Sequence, residues 1–483
     1  MNRRDFVKGS IAGAAGLSMA GKGWGSVHDR PNVLIIMVDQ MREPMWTPRL
    51  DMPNLARLRE TGLSFVNSFC AASPCSPSRA CFFTGTHSTQ NHMFYNCDFV
   101  EGALQPSLDP SVPTIGHIFQ KAGYKTPYRG KWHLTRRKDR PDGLVSYGFE
   151  GWKSPDAWFG GPPWCGEVFD PMYAGQAVSW LSDPENHKVP WLMVCSLVNP
   201  HDVGAWPRYY PHTKLGPIKT EQPPPNWTDD LSGKPRVHKE YQRRFEKMAG
   251  KVDENDADQW RRYLDWYVDC MEDVDENMGD VLDALERSGQ AGNTLVLFTS
   301  DHGEMGGSHK LRNKGTFAYE EVMKVPLVVS MPGTVPAGES SNALVSNVDI
   351  MPTLCSFAGI HANNYMAGKD FSHVLADPTA DPKRDHVIYH NDWEIAFTIG
   401  KGADEGSTYD NPAHIRCIRD HEWKYAYYFS LNNDDTDFEL YNLKEDPLEM
   451  RNLANDPGYR RKRKELHNRL MEREDELVSD FEV

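Results

Sequence analysis

The chain has no excess of basic residues: its 483 residues carry 53 Lys and Arg against 68 Asp and Glu, a formal net charge of −15. That balance argues against nucleic acid as a partner, because binding a phosphate backbone requires a basic surface. It leaves an anionic small substrate open, since lysines grouped around a metal ion reverse the field inside one pocket. Also missing is any run approaching the roughly 20 apolar residues that cross a bilayer, so no stable membrane anchor is expected. The nine cysteines (Cys70, Cys75, Cys81, Cys97, Cys165, Cys195, Cys270, Cys355 and Cys417) lack the paired spacing of a zinc site. Most of them read as small core residues.

What is present begins with an address. Arg3-Arg4-Asp5-Phe6-Val7-Lys8 precedes a weakly apolar run from Gly9 to Ala20 that ends in small residues, the pattern of a twin-arginine export signal. The expectation is a signal over residues 1–28, the twin-arginine machinery as a partner and a periplasmic destination. That route carries folded chains, so the thiols first meet a reducing cytosol and no disulfide framework is implied.

Hydrophobic residues at 39% and charged residues at 25% describe a globular protein, long enough for two or three structural units. Pro31 to Gln40, Pro190 to Leu197 and Asn293 to Gly303 are continuous apolar runs ending in polar groups, the look of buried parallel strands. Helix-period segments lie between them at Pro53 to Thr61, Thr114 to Ala122 and Trp260 to Ser288. Alternating strands and helices predict an α/β fold, a sheet sandwiched by helices. Ligands of such sheets gather at the carboxyl ends of strands, where Asp39, His201, Asp301 and His302 fall. After Ala376 to Pro382 the texture changes to short strand-like pieces (Val387 to Tyr389, Ile415 to Ile418, Trp423 to Tyr428, Glu439 to Tyr441) and a charged helical tail from Tyr459. This predicts a catalytic α/β domain over residues 29–380 and a smaller antiparallel sheet closed by a helix over 381–483. The polar stretch from Gly400 to Pro412 reads as a surface insertion.

Asp39 and Asp301-His302 bring oxygen and nitrogen donors to strand ends far apart in sequence, which is a way to build one metal site on a rigid scaffold. Carboxylates suit calcium or magnesium, while the imidazole leaves manganese or zinc open. Each residue alone has an ordinary use: an Asp after a strand caps a helix, and lone lysines such as Lys131 and Lys314 are solvated surface groups.

One block changes that weighing. Cys75-Ser76-Pro77-Ser78-Arg79, followed by Thr84-Gly85, resembles the signature of the formylglycine-dependent sulfatases, relatives of the alkaline phosphatases. The resemblance extends to Pro31–Gln40, Gly130-Lys131-Trp132-His133-Leu134, Pro200-His201, Ser300-Asp301-His302-Gly303, Lys314-Gly315-Thr316 and Val348 to Leu354. It implies an alkaline-phosphatase-like mixed sheet and a sulfuric ester hydrolase. By the same resemblance a maturase oxidises Cys75 to formylglycine, and a divalent cation, with calcium the expected ion, is held by Asp39, Gln40, Cys75, Asp301 and His302. Arg79 and Lys131 would hold the hydrated aldehyde, His133 would be a base, and His201 with Lys314 would bind sulfate and protonate the leaving oxygen. His309 is placed in the sulfate pocket, and His87 and His92 are either substrate contacts or caps.

Many members carry two consecutive aspartates where this chain has Asp39-Gln40, and an Asn where it has His302. Gln40 and His302 resemble the choline sulfatase and phosphonate monoester hydrolase branches, which makes a phosphonate or phosphate ester hydrolase the alternative. Tryptophans between His133 and Gln259 (Trp152, Trp158, Trp164, Trp180, Trp191, Trp206, Trp227) offer flat faces for sugars, although for any one of them a place in the core is the more common use. Together with export, they point to a sulfated carbohydrate substrate from algal or animal polysaccharides.

Overall fold

Residues Val33, Ile35 and Met37 pack into one apolar core, and Leu34, Ile36 and Val38 pack into another. A strand whose successive side chains enter two different cores must lie at the centre of a sheet covered on both faces, which is why the sequence reads as an unbroken apolar run. The computed structural model describes residues 30–43, 49–97, 105–136, 143–153, 155–156, 165–208, 216–220, 222–361, 365–392 and 411–479. The expected export signal, Trp158, Trp164 and most of the 400–412 stretch lie outside the described residues.

In chain order the described strands are β1 (Asn32–Asp39), β2 (Leu63–Phe69), β3 (Ala72–Ser73), β4 (Tyr128–Gly130), β5 (Leu192–Pro200), β6 (Thr294–Ser300), β7 (Leu327–Ser330), β8 (Glu339–Ser346), β9 (Val387–Asp392), β10 (His414–Arg419), β11 (Trp423–Phe429) and β12 (Thr436–Asn442). Seven form a sheet in the order β4-β5-β1-β6-β7-β2-β8. Neighbours are parallel except at β7, which runs antiparallel to both β6 and β2. The 31-residue helix Ala257–Arg287, capped by the Asp256 side chain, covers one face of the sheet with its buried stripe. Ile115–Lys121 and the signature helix Cys75–Thr84 lie on the other face. This is an α/β fold with a mixed sheet sandwiched by helices.

The second sheet has the order β12-β11-β10-β9-β3. Its antiparallel ladders from β9 to β12 pack Ile388, Ile418, Tyr425 and Leu440 against Leu466 and Leu470 of the helix Arg460–Ser479. Strand β3 comes from the other end of the chain and pairs in parallel with β9, Ser73 opposite Asn391. The segment leading into Cys75 is therefore hydrogen-bonded to the C-terminal sheet. All nine cysteines are buried, and none is in a disulfide.

Candidate active site

Because β1, β4, β5 and β6 are parallel, their last residues reach the same rim of the sheet: Asp39 on β1, Lys131 after β4, His201 after β5 and Asp301 after β6. The approach of β4 to β5 is too close for a side chain at Gly130, where a Cβ would lie 1.9 Å from the Ser196 carbonyl oxygen and φ is +99°. Glycine at that point lets the Lys131 ammonium reach Asp39 Oδ2, 2.5 Å away.

The signature helix brings two more groups, Cys75 and Arg79, to this rim. All ten of its residues are buried. The Ser78 hydroxyl donates to the Asp301 carbonyl, the Ser76 hydroxyl donates to the His133 carbonyl (2.5 Å), and the Ser76 N–H donates to Asn96 Oδ1 (3.0 Å). Its first turn is thereby tied to β6 and to the loop after β4, with Cys75 at the point facing the strand ends. One ligand atom each from Asp39, Cys75, Asp301 and His302 lies within 4.8 Å of the others, and all four residues are buried. Cys75 Sγ is 3.2 Å from His302 Nε2 and 3.6 Å from Asp39 Oδ1.

Electrostatics separate the two carboxylates. Burial drives the Asp39 carboxyl up, but Lys131, His201, Lys314 and Arg79 outweigh it and hold the group well below the usual range. Burial and the neighbouring charge of Asp39 push Asp301 up to about 7. Burial, reinforced by Asp39, likewise pushes the Cys75 thiol up to about 11, so the unmodified side chain is a neutral thiol at physiological pH. Burial and the lysine charges hold His302, His133 and His201 neutral. His302 Nδ1 faces the Gly303 carbonyl at 2.9 Å, an acceptor only. The ring therefore carries its proton there and turns an unprotonated Nε2 toward the cluster.

Two carboxylates, a neutral imidazole nitrogen and the nearby Gln40 amide oxygen make a donor set suited to a hard divalent cation, and such an ion would offset the Asp39 charge that, after burial, raises Asp301. A pH dependence follows. Ion binding must displace the Asp301 proton below about pH 7, so the dissociation constant of a divalent cation is expected to be about tenfold higher at pH 6 than at pH 8, by calorimetric titration.

The sulfatase family model matches residues 31–360. The chain belongs to the sulfatase family. It is a sulfuric ester hydrolase, and a second family model, N-sulphoglucosamine sulphohydrolase, C-terminal, matches residues 307–476. The sulfatase is 26% identical to the N-acetylglucosamine-6-O-sulfatase of Bacteroides thetaiotaomicron, over 92% of this chain and 86% of that one. Its fold is similar to that of a 2-O GAG sulfatase (TM-score 0.74, 24% identity, 94% and 93% of the two chains). It is also similar to the fold of the phosphonate monoester hydrolase of Silicibacter pomeroyi (TM-score 0.71, 20% identity, 92% and 95%).

Within this sulfatase the other expected site residues divide. Lys314 Nζ donates to Gln40 Oε1 at 2.5 Å and lies 3.8 Å from Asp39 Oδ1, and half-buried His201 lies on the same rim. Arg79 is fully buried, and it commits Nε to Asp301 Oδ2 (2.9 Å), Nη2 to Asp39 Oδ2 (3.1 Å) and Nη1 to the Lys131 carbonyl and Ser196 Oγ (both 2.9 Å). With four of the five guanidinium N–H groups taken, it orders the carboxylates and the Lys131 loop more than it faces position 75.

His309 is a correction. Its Nδ1 is 2.6 Å from Asp229, its Nε2 is 3.0 Å from the Asn226 amide, and its ring stacks on Tyr319 at 4.2 Å. Both nitrogens are engaged, so neither is left for sulfate. His87 is the cap residue of the short helix Ser88–Asn91, and His92 ends it in a left-handed conformation. Among the tryptophans, Trp191 and Trp206 are buried, and Trp152, Trp180 and Trp227 pack against the same cores.

Two acids escaped the sequence reading. Asp156 receives the Trp132 N–H at 2.8 Å and the His133 N–H at 3.1 Å on its two oxygens. It thereby clamps His133 in a left-handed backbone conformation, φ +55°, that a side-chain-bearing residue adopts at a cost. If His133 acts as the expected base, Asp156→Ala lowers kcat by about 10–100-fold, the scale of losing an orienting partner, with KM little changed in steady-state assays. The second acid is Glu304.

Proposed function

We propose that this sulfatase removes sulfate from sulfated saccharides, with formylglycine made from Cys75 and one divalent cation, calcium being the expected ion. The observation that carries the reading is the buried convergence of Asp39, Cys75, Asp301 and His302 beside the Lys131 and Lys314 ammonium groups. A saccharide is supported by the relatives whose names specify N-acetylglucosamine and GAG sulfates, and by the N-sulphoglucosamine sulphohydrolase match. The N-terminal Arg3-Arg4 pattern supports twin-arginine export to the periplasm after a formylglycine-generating enzyme has acted in the cytosol.

When present, the hydrated aldehyde and the cation supply an acidified hydroxyl nucleophile. Asp39, Gln40, Asp301, His302 and position 75 would hold the ion, and Arg79, bonded to both carboxylates, orients them and favours their charged forms. Lys131 and Lys314 offset the charge of the transferring group, an electrostatic contribution made large by burial. Desolvation and the charges of Lys314 and Lys131 favour the neutral form of His201. An anionic sulfate ester binding beside these lysines would offset that repulsion, and His201 would then take up a proton and give it to the leaving oxygen. His133, kept neutral by burial and Lys131, is fitted to accept a proton.

The test is sulfate release from a panel of sulfated oligosaccharides, beside an aryl phosphonate monoester, using protein coexpressed with a formylglycine-generating enzyme. Turnover of one glycan, absent in Cys75→Ala, supports the proposal and names the sugar. Turnover of the phosphonate alone would favour the second reading, a phosphonate or choline-sulfatase-like esterase, to which the Asp39-Gln40 and Asp301-His302 pairs point.

A further inference from the structure

Gln40 sits where a second acidic ligand is common, and its side-chain amide has two ends of opposite chemistry. Gln40 Nε2 donates to Glu304 Oε2 at 2.5 Å, and Gln40 Oε1 accepts from Lys314 Nζ at 2.5 Å. An ionised carboxylate only accepts and an ammonium only donates, so a flipped amide would oppose both partners. The residue itself is held at φ +72°, with its N–H on Asp301 Oδ1 (3.1 Å) and its carbonyl receiving the Tyr267 hydroxyl (2.8 Å). Its backbone is fixed, and the amide orientation is set by what lies behind it.

We propose that Glu304 is a positioning residue that aims the Gln40 amide oxygen at the cation site and returns, one hydrogen bond further out, the negative charge that glutamine lacks. The inference rests on the cation reading above. Glu304 is fully buried, and its other oxygen, Oε1, accepts the Tyr263 hydroxyl (2.6 Å), the Asn313 N–H (2.5 Å) and the Gly306 N–H (3.0 Å). Four donors on one carboxylate leave it no freedom to turn. Asn313, at φ +67°, in turn receives the Lys314 N–H on its side-chain oxygen at 2.8 Å. One buried carboxylate thus orients both partners of the Gln40–Lys314 contact. The Glu304 carboxylate, accepting from Nε2, pushes electron density toward Oε1 and makes that oxygen a stronger ligand than an isolated glutamine would offer, while the Lys314 ammonium fixes its position and draws on the same oxygen.

A charge exchange tests this. Calcium dissociation constants are measured by calorimetry on the matured, chelator-stripped full chain, with kcat/KM for a sulfate ester in parallel and thermal midpoints as the folding control. Glu304→Gln is expected to weaken calcium binding by about tenfold, the usual scale for losing an outer partner of a ligand. The double variant Gln40→Glu with Glu304→Gln restores the pair in reverse, amide behind carboxylate, and is expected to return calcium affinity to within about threefold of wild type. Gln40→Glu alone sets two carboxylates face to face and is expected to give no such gain. If Gln40→Glu raises affinity equally in both backgrounds, or if Glu304→Gln lowers only the thermal midpoint, the inference is wrong while the cation reading stands. A wild type that binds no divalent cation would overturn both.

Discussion

On the proposed formylglycine mechanism, sulfate release by protein coexpressed with a formylglycine-generating enzyme is expected to fall by at least about 10⁴-fold in Cys75→Ala, while the protein stays folded. The two halves of that expectation have separate causes. Cys75 Sγ lies 3.2 Å from His302 Nε2 and 3.6 Å from Asp39 Oδ1, at the centre of the converging groups, so its replacement removes the atom on which the others are aimed. Among the described residues, the hydroxyls nearest it in sequence do not substitute for it. Ser76 and Ser78 have their hydroxyls committed to the His133 and Asp301 carbonyls. Loss of one buried sulfur leaves a small cavity, costing on the order of 1 kcal/mol, too little to unfold a protein of this size. A thiol pushed up to about 11 by burial and Asp39 is also a poor nucleophile near neutral pH, so chain expressed without maturation is expected to match Cys75→Ala. Cys75→Ser is informative in a different way. It keeps one hydroxyl but not the second one of an aldehyde hydrate, so a burst of alcohol no larger than one per enzyme is expected, followed by arrest. Steady turnover by the alanine variant would sink the assignment of Cys75 as the reacting position.

The parts of this molecule that were legible in sequence share one property: their pattern is repeated by geometry. Strands β1, β5 and β6 are buried on both faces, so their apolar runs are unbroken, and being parallel they deliver Asp39, His201 and Asp301 to one rim. The antiparallel β7 is four residues long and carries no such signature, and the two-residue β3 has no periodicity to read. Its pairing with β9 is a contact between residues more than 300 positions apart, Ser73 and Asn391, and so is invisible to any local rule. Asp156 and Glu304 were missed because a single acid in a polar segment looks like a solvated one, and only burial distinguishes them. His309 was placed in the pocket because it lies eight residues past Asp301. Its left-handed backbone, φ +53°, accompanies a ring bonded to Asp229 and Asn226 instead, and nothing in the spacing announces that turn.

Arg79 is expected to dominate stability as Cys75 dominates turnover. Its guanidinium lies between two carboxylates that are completely withdrawn from water, bonded to Asp301 at 2.9 Å and to Asp39 at 3.1 Å. Removing one partner of a buried ionic group leaves the others uncompensated, so Arg79→Met is expected to lose about 3–5 kcal/mol in denaturant unfolding at pH 8 without added cation. Lysine should rescue little, because one ammonium cannot bridge two carboxylates and also reach Lys131 O and Ser196 Oγ. The sign with pH is fixed. Asp301 is already pushed up to about 7 by burial and Asp39, and loss of Arg79 raises it further. A carboxyl whose folded pKa lies above its unfolded value binds its proton more tightly when folded. The loss is therefore fully developed above the folded pKa and shrinks as the pH falls from 8 toward 5. A divalent cation held by the same carboxylates, calcium on the proposed reading, would supply the missing positive charge, so the variant should gain more stability from saturating calcium than the wild type does. A loss that ignored both calcium and pH would assign Arg79 to holding the Lys131 carbonyl and Ser196. The balance of charge between Asp39 and Asp301 would then belong to Lys131 and Lys314.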